Sequence, residues 1–281
     1  MIEDHFPEFY KKVNTYSMAW QRRFLRSQQV QLLSLIAAAF VAGVGGPGWL
    51  AVVAFVIATF AHLYRFISRA DEKWWNGRAG AESAKTLGWR YVMGGLPFPT
   101  EIIDADVQFS ARVSDIAKKV ADYVPTSTGR AHLGPEMKTL RSSDLQKRVS
   151  TYQIERIQDQ MGWYEGKSTF NDGRSRWWSW VIVAIQALGL SLAVLALVFA
   201  WPINFLGLFT AVAAAGAAWV ATKQHATLAR SYAVASHELA DIDAQITATA
   251  TWTEDDWAQF VNESEEAISR EHTSWRASRG I

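Results

Sequence analysis

The sequence contains no cysteine. Disulfide scaffolds, thiolate zinc sites, iron–sulfur clusters and thiol nucleophiles are thereby excluded. It also lacks a charge excess. Lys plus Arg is 28 against 27 Asp plus Glu, a net +1, which argues against a dedicated nucleic-acid surface. The most informative absence is local. No Asp, Glu, Lys or Arg occurs in the 38 residues from Ser27 to Tyr64, or in the 46 residues from Trp177 to Thr222. The mean hydropathy of −0.03 is that of an average soluble protein, but it hides this segregation. Charge-free runs of such length mark a membrane protein.

Each run is long enough to cross a bilayer twice, at about 20 apolar residues per crossing. Each also carries a turn signal near its middle: Gly43-Val44-Gly45-Gly46-Pro47-Gly48 in the first, Trp201-Pro202-Ile203-Asn204 in the second. Helices satisfy the backbone in hydrocarbon, and clustered Gly and Pro break them. The expected fold is therefore all-α, with two transmembrane hairpins spanning about 28–44 and 49–67, then about 178–200 and 204–222. The first crossing is short, with Gln28, Gln29 and Gln31 at one end, so a re-entrant hairpin stays open there. The block lies too far from the N-terminus, and doubles back, for a cleaved signal peptide. Thirteen basic residues flank the helix ends on one side, from Lys12, Arg22, Arg23 and Arg26 through to Lys223 and Arg230, and the two connecting turns hold none. The positive-inside rule then puts both termini and the 65–176 segment in the cytoplasm of a cell bounded by this plasma membrane. Trp180 and Trp201, about 31 Å apart along a helix, suit the two interfaces.

Both halves follow one plan: an amphipathic helix, a basic cluster, a hairpin, and a helix running on into polar sequence. Stretches Ala70 to Tyr91 and Lys223 to Thr247 contain no proline. Continuous helices of roughly 60 Å over 49–90 and 204–247 are therefore expected. The chain divides into a first two-helix module (1–98), a cytoplasmic linker with one short helix near 105–123 (99–142), and a second module with cytoplasmic C-terminal helices (143–281). Turn signals at Gly94 to Pro99 and Pro125 to Gly129 support the linker.

Several motifs mimic chemistry. Gly43 to Gly48 fits G-x-G-x-x-G, but an apolar helix precedes it where a dinucleotide fold needs a strand, and the nearest downstream acid is Asp71. Gly162 to Ser168 is one residue short of a phosphate loop and sits in a helical run. The six histidines, His5, His62, His132, His225, His237 and His272, include no i,i+4 metal pair. No catalytic constellation is legible, and neither an enzyme nor a cofactor is expected.

Three stretches carry a resemblance. The run Trp74-Trp75-Asn76-Gly77-Arg78 through Leu87-Gly88-Trp89-Arg90-Tyr91, with Gly95 to Phe98, is similar to the prokaryotic SLATT (DUF4231) family. Arg148 to Lys167 and Glu265 to His272 agree with it. The resemblance covers most of the chain as two fused copies of a two-helix membrane module. It implies a pore-forming effector tied to nucleotide-signal conflict systems, and it supplies no catalytic residues.

Within the spans, Ala54 and Ala58, and Gly207, Ala211 and Ala215, are small residues at four-residue spacing, the pattern that lets membrane helices approach closely. Ser27, Gln31 and Ser34 share a face of the first helix, and Gln186 lies on the third. At membrane depth such groups either bond a neighbouring helix or meet water in a pore, and both readings stand. Arg65 and Arg69 are expected to snorkel to headgroups. The expected function is an oligomeric ion channel, cations favoured, with selectivity from hydroxyls, amides, backbone carbonyls or a hydrophobic gate, and gated through cytoplasmic helices. The alternative is a non-conducting scaffold that recruits a cytoplasmic partner. The expected partners are the lipid bilayer, further copies of the chain (a tetramer is the working number) and an ion or nucleotide second-messenger system, with no nucleic acid.

Overall fold

A computed structural model describes residues 2–124 and 133–277. The turn Pro125 to Gly129, His132 and the side chain of His272 lie outside the described residues. Among those described, the regular structure is helical: a short 3-10 turn at Ile2–His5, then α1 (Glu8–Gly43), α2 (Gly48–Ser68), α3 (Ala70–Met93), α4 (Ala105–Val120), α5 (Pro135–Arg141), α6 (Leu145–Tyr152), α7 (Asp159–Val198), α8 (Phe205–Lys223), α9 (His225–Ala248) and α10 (Glu254–Ala277). A π-turn, Gln153–Gln158, joins α6 to α7. Four helical runs are long and apolar enough to cross a membrane, in the places the charge-free blocks predict.

The expected 60 Å helices are interrupted. Arg69 (φ 48°) closes α2 and Gln224 (φ 51°) closes α8 in the left-handed conformation, and a new 24-residue helix starts at the next residue in each case. Neither position is glycine, so composition alone hides the break. Its occurrence at one equivalent point in both halves is internal evidence of duplication.

The chain packs as two compact units that do not follow chain order. A polar unit takes 1–19, 72–168 and 230–281; an apolar unit takes 20–71 and 169–229. In the polar unit the core gathers Phe6, Trp89, Tyr91, Phe98, Tyr152 and Trp257, all at most 2% exposed. The segment read as a linker belongs to this core. Phe109, Val113 and Val120 recur at helical spacing along α4 and are buried, as are Met137 and Leu140 of α5. Local signals set the helix starts. Pro135 occupies the first turn of α5, the Asp144 side chain accepts from Lys147 N–H at 2.9 Å, and Thr253 Oγ accepts from Asp256 N–H at 3.1 Å.

In the apolar unit the two hairpins meet at their turns, where Asn204 N–H donates to the Gly43 carbonyl at 2.9 Å. Large apolar side chains of α2, among them Val52, Phe55, Phe60, Phe66 and Ile67, are exposed, as expected of a surface made for lipid or for another membrane helix.

Candidate functional site in the two hairpins

The first hairpin concentrates polar groups at one end. The Arg65 guanidinium donates to Gln31 Oε1. It also lies 3.1 Å from His62 Nδ1, and since arginine can only donate, that nitrogen accepts. The Phe24 ring faces the same guanidinium at 5.9 Å. Helical side chains tilt toward their helix N-terminus, which for α2 is the turn end of the hairpin. Arg65 therefore reaches along the hairpin, toward its turn, to Gln31. Of the other residues on that face, Ser27 is buried and donates to the Phe24 carbonyl at 2.9 Å, and Ser34 is half-buried.

The second hairpin repeats the framework with different contents. Gln186 precedes Val198 by twelve residues, as Gln31 precedes Gly43. Counted back from the left-handed residues, Ala217 and Val220 stand where His62 and Arg65 stand in the first hairpin. With a methyl and an isopropyl group there, no cationic partner among the described residues reaches Gln186. It stays exposed, on a groove of about 320 Å³ that Thr210, Ala213 and Ala217 also line. The structure thus leaves the nominated polar residues in two separate settings: Gln31 bonded inside its hairpin, Gln186 open on its own.

The small residues divide similarly. Ala58, eleven residues before Arg69, and Ala213, eleven before Gln224, are both buried. Ala215 is also buried, while Ala54 and Ala211 are half-buried. Gly207 serves the helix cap, its N–H donating to Asn204 Oδ1 at 2.8 Å. A close contact between α7 and α8 falls at a residue the sequence pattern does not single out. A Cβ on Gly189 would stand 2.3 Å from Phe209 Cβ, so only glycine fits. A further polar contact, His225 Nδ1 to Asn171 Oδ1 at 2.7 Å, is buried beside the left-handed Gln224.

The motifs that mimic chemistry resolve into structure. Gly43 to Gly48 is the turn between α1 and α2, with Gly45 at φ +70°, and Gly162 to Ser168 lies inside α7.

The polar unit holds a buried ionic core. Arg156, 1% exposed, donates from Nε and Nη2 to the two carboxylate oxygens of Glu265, itself 0% exposed, at 2.7 Å each. Tyr152 adds its hydroxyl to Glu265 at 3.1 Å. Burial by itself would lower the Arg156 pKa, but the facing carboxylate outweighs it and holds the guanidinium above its ordinary value. Burial, then the same carboxylate, pushes the Tyr152 phenol up. Arg148, Tyr152 and Arg156, four residues apart, share the buried face that runs from α6 into the π-turn, where Ile157 is buried as well. Arg148, equally buried, donates to the Met93 carbonyl at 2.9 Å and pairs with Glu254. Gly94, at φ +72°, makes room, since a Cβ there would lie 2.8 Å from the Arg148 guanidinium. Nearby, Asp106 accepts from Tyr91 at 2.6 Å and Lys138 at 2.5 Å. Burial would raise the Asp106 carboxyl, but these partners hold it below its usual range. Helical spacing puts Arg156 on one face with Leu145, Val149, Tyr152 and Met161, but sequence reading missed the network because its partner Glu265 is 109 residues away. The available signal was that Arg148 to Lys167, Glu265 to His272 and the Trp74 run carry the family likeness together, and these stretches meet here.

The two halves match two related families. Residues 7–149 match the SMODS and SLOG-associating 2TM effector domain 3 (SLATT_3), and residues 152–275 match the SMODS and SLOG-associating 2TM effector domain 1 (SLATT_1). No curated protein and no solved structure matches the chain.

Proposed function

Because the chain belongs to the SLATT family of two-helix membrane effectors across both halves, we propose that this effector acts as an ion-conducting pore built from several copies of itself. On this reading the polar unit and both termini lie in the cytoplasm, and a second-messenger or ionic signal sensed there opens the pore. No reaction is catalysed.

The observation that carries the reading is Gln186. An exposed amide in the middle of an apolar span, with no bonding partner among the described residues, costs free energy in lipid and is relieved by water or by a neighbouring subunit. Gln31, with Ser27 and Ser34 on its face, gives the first hairpin comparable polarity. Either set supplies the neutral oxygen and amide groups that replace part of an ion's hydration shell. Purified protein reconstituted in planar bilayers should give discrete current steps. Silence from folded, inserted protein across voltages and candidate signals would end the pore reading.

One observation favours the second reading, a scaffold that docks a partner. Ile103 is 97% exposed and Val107, four residues on, is 69% exposed, a small apolar step on the polar unit.

A further inference from the structure

We propose that the Gln31–His62–Arg65 cluster is a selectivity site and that the ion it passes is a small anion such as chloride. The inference rests on the pore reading and gives it a substrate class. It reverses the sequence expectation of cations, in which Arg65, near the end of the second span, is a headgroup contact. The structure bonds its guanidinium to Gln31 of the first span. By helical rise Gln31 lies about 18 Å from Gly43, and Arg65 about 26 Å along α2 from Gly48. Against a hydrocarbon thickness of about 30 Å, the Arg65 guanidinium, tilted back to Gln31, is well inside.

That charge is permanent, and no carboxylate among the described residues bonds it. Arginine does not deprotonate in proteins. Among the described residues Arg65 makes no ion pair, and Asp71 acts on it only through its field. Its two side-chain partners, Gln31 and His62, are neutral acceptors that fix the guanidinium without cancelling it. The two fully buried arginines of the polar unit, Arg156 and Arg148, each receive a carboxylate, whereas the half-buried Arg141 there, like Arg65, is held by neutral acceptors, the carbonyls of Tyr91, Phe98 and Pro99. The negative end of the α2 dipole, worth about half a charge, offsets part of Arg65 and no more.

The surroundings share the sign. Segments 20–71 and 169–229 contain Arg22, Arg23, Arg26, Arg65, Arg69, Arg174, Arg176 and Lys223 against Asp71 and Asp172. The flanking members follow from the positive-inside rule; Arg65 bonded to Gln31 does not. A ring of such clusters in an oligomer would attract anions and repel cations in a low-dielectric passage.

The test is the reversal potential in phosphatidylcholine bilayers under a tenfold KCl gradient, for wild type, Arg65→Gln and Arg65→Lys. Wild type should reverse toward the chloride equilibrium potential. Arg65→Gln should lower the chloride-to-potassium permeability ratio by about tenfold or more, and Arg65→Lys, which keeps the charge, should hold it within about threefold. Wild-type reversal toward potassium overturns the inference by itself, whether or not the variants insert. So does an unchanged ratio in Arg65→Gln, which would leave the cluster a packing or lipid-phosphate contact. Absence of any current overturns the pore reading instead, a distinguishable result.

Discussion

The first and second hairpins share a register and differ in what occupies it. Both place a glutamine twelve residues before the turn, both bury an alanine eleven residues before a left-handed residue, and both are followed by a 24-residue helix. The first fills the space opposite its glutamine with His62 and Arg65. The second has Ala217 and Val220 at the corresponding positions, and Ala217 lines a groove beside its glutamine. The two hairpins share a backbone plan and differ in polar content, with a cationic cluster in the first and an open amide on a groove in the second.

A third region sharpens the contrast, because the polar unit solves the buried-arginine problem with carboxylates. Glu265→Gln would leave Arg156 with neutral acceptors only, the condition of Arg65. It should cost about 3–5 kcal/mol, since a buried cation loses its counter-charge. Thermal unfolding of the detergent-solubilised protein measures it. Stability within error of wild type would mean that this core tolerates an unpaired arginine as the first hairpin does.

Packing between the helices of each hairpin should differ as well. Gly189→Leu forces a side chain into Phe209 and should destabilise by about 1–3 kcal/mol. Ser34, three residues after its glutamine as Gly189 is after Gln186, is half-buried, and Ser34→Leu should stay within about 0.5 kcal/mol. Chromatographic monodispersity and melting temperature read both. Equal effects would erase the distinction between the two interfaces.

The smallest difference lies at the turns. Asn204 caps α8 through its side chain, whereas Pro47 precedes α2 with no side-chain cap bond. Asn204→Ala should cost about 1 kcal/mol and Pro47→Ala less. A Pro47→Ala loss equal to that of Asn204→Ala would show that the cap bond contributes nothing distinctive.

The number of crossings, their approximate limits and the helical class were legible in the sequence, because long charge-free runs broken by Gly-Pro or Trp-Pro clusters leave the backbone few alternatives in hydrocarbon. The likeness of Trp74 to Tyr91, Arg148 to Lys167 and Glu265 to His272 to the SLATT family was legible too. Tertiary structure alone decided the rest, and in each case the cause was a contact distant in sequence or a backbone angle without a compositional mark. Arg65 could be read as a flanking charge until its partner, 34 residues away, was known. Arg156 and Glu265 are 109 residues apart, and only packing reveals that each neutralises the other. Residues 99–142 looked like a linker because turn signals report where the chain bends, not whether the bends are buried. The left-handed residues Arg69 and Gln224 carry no glycine to announce them. Periodicity along one chain determines which segments are helices; which charges those helices shelter, and from what, is settled only when distant segments pack together.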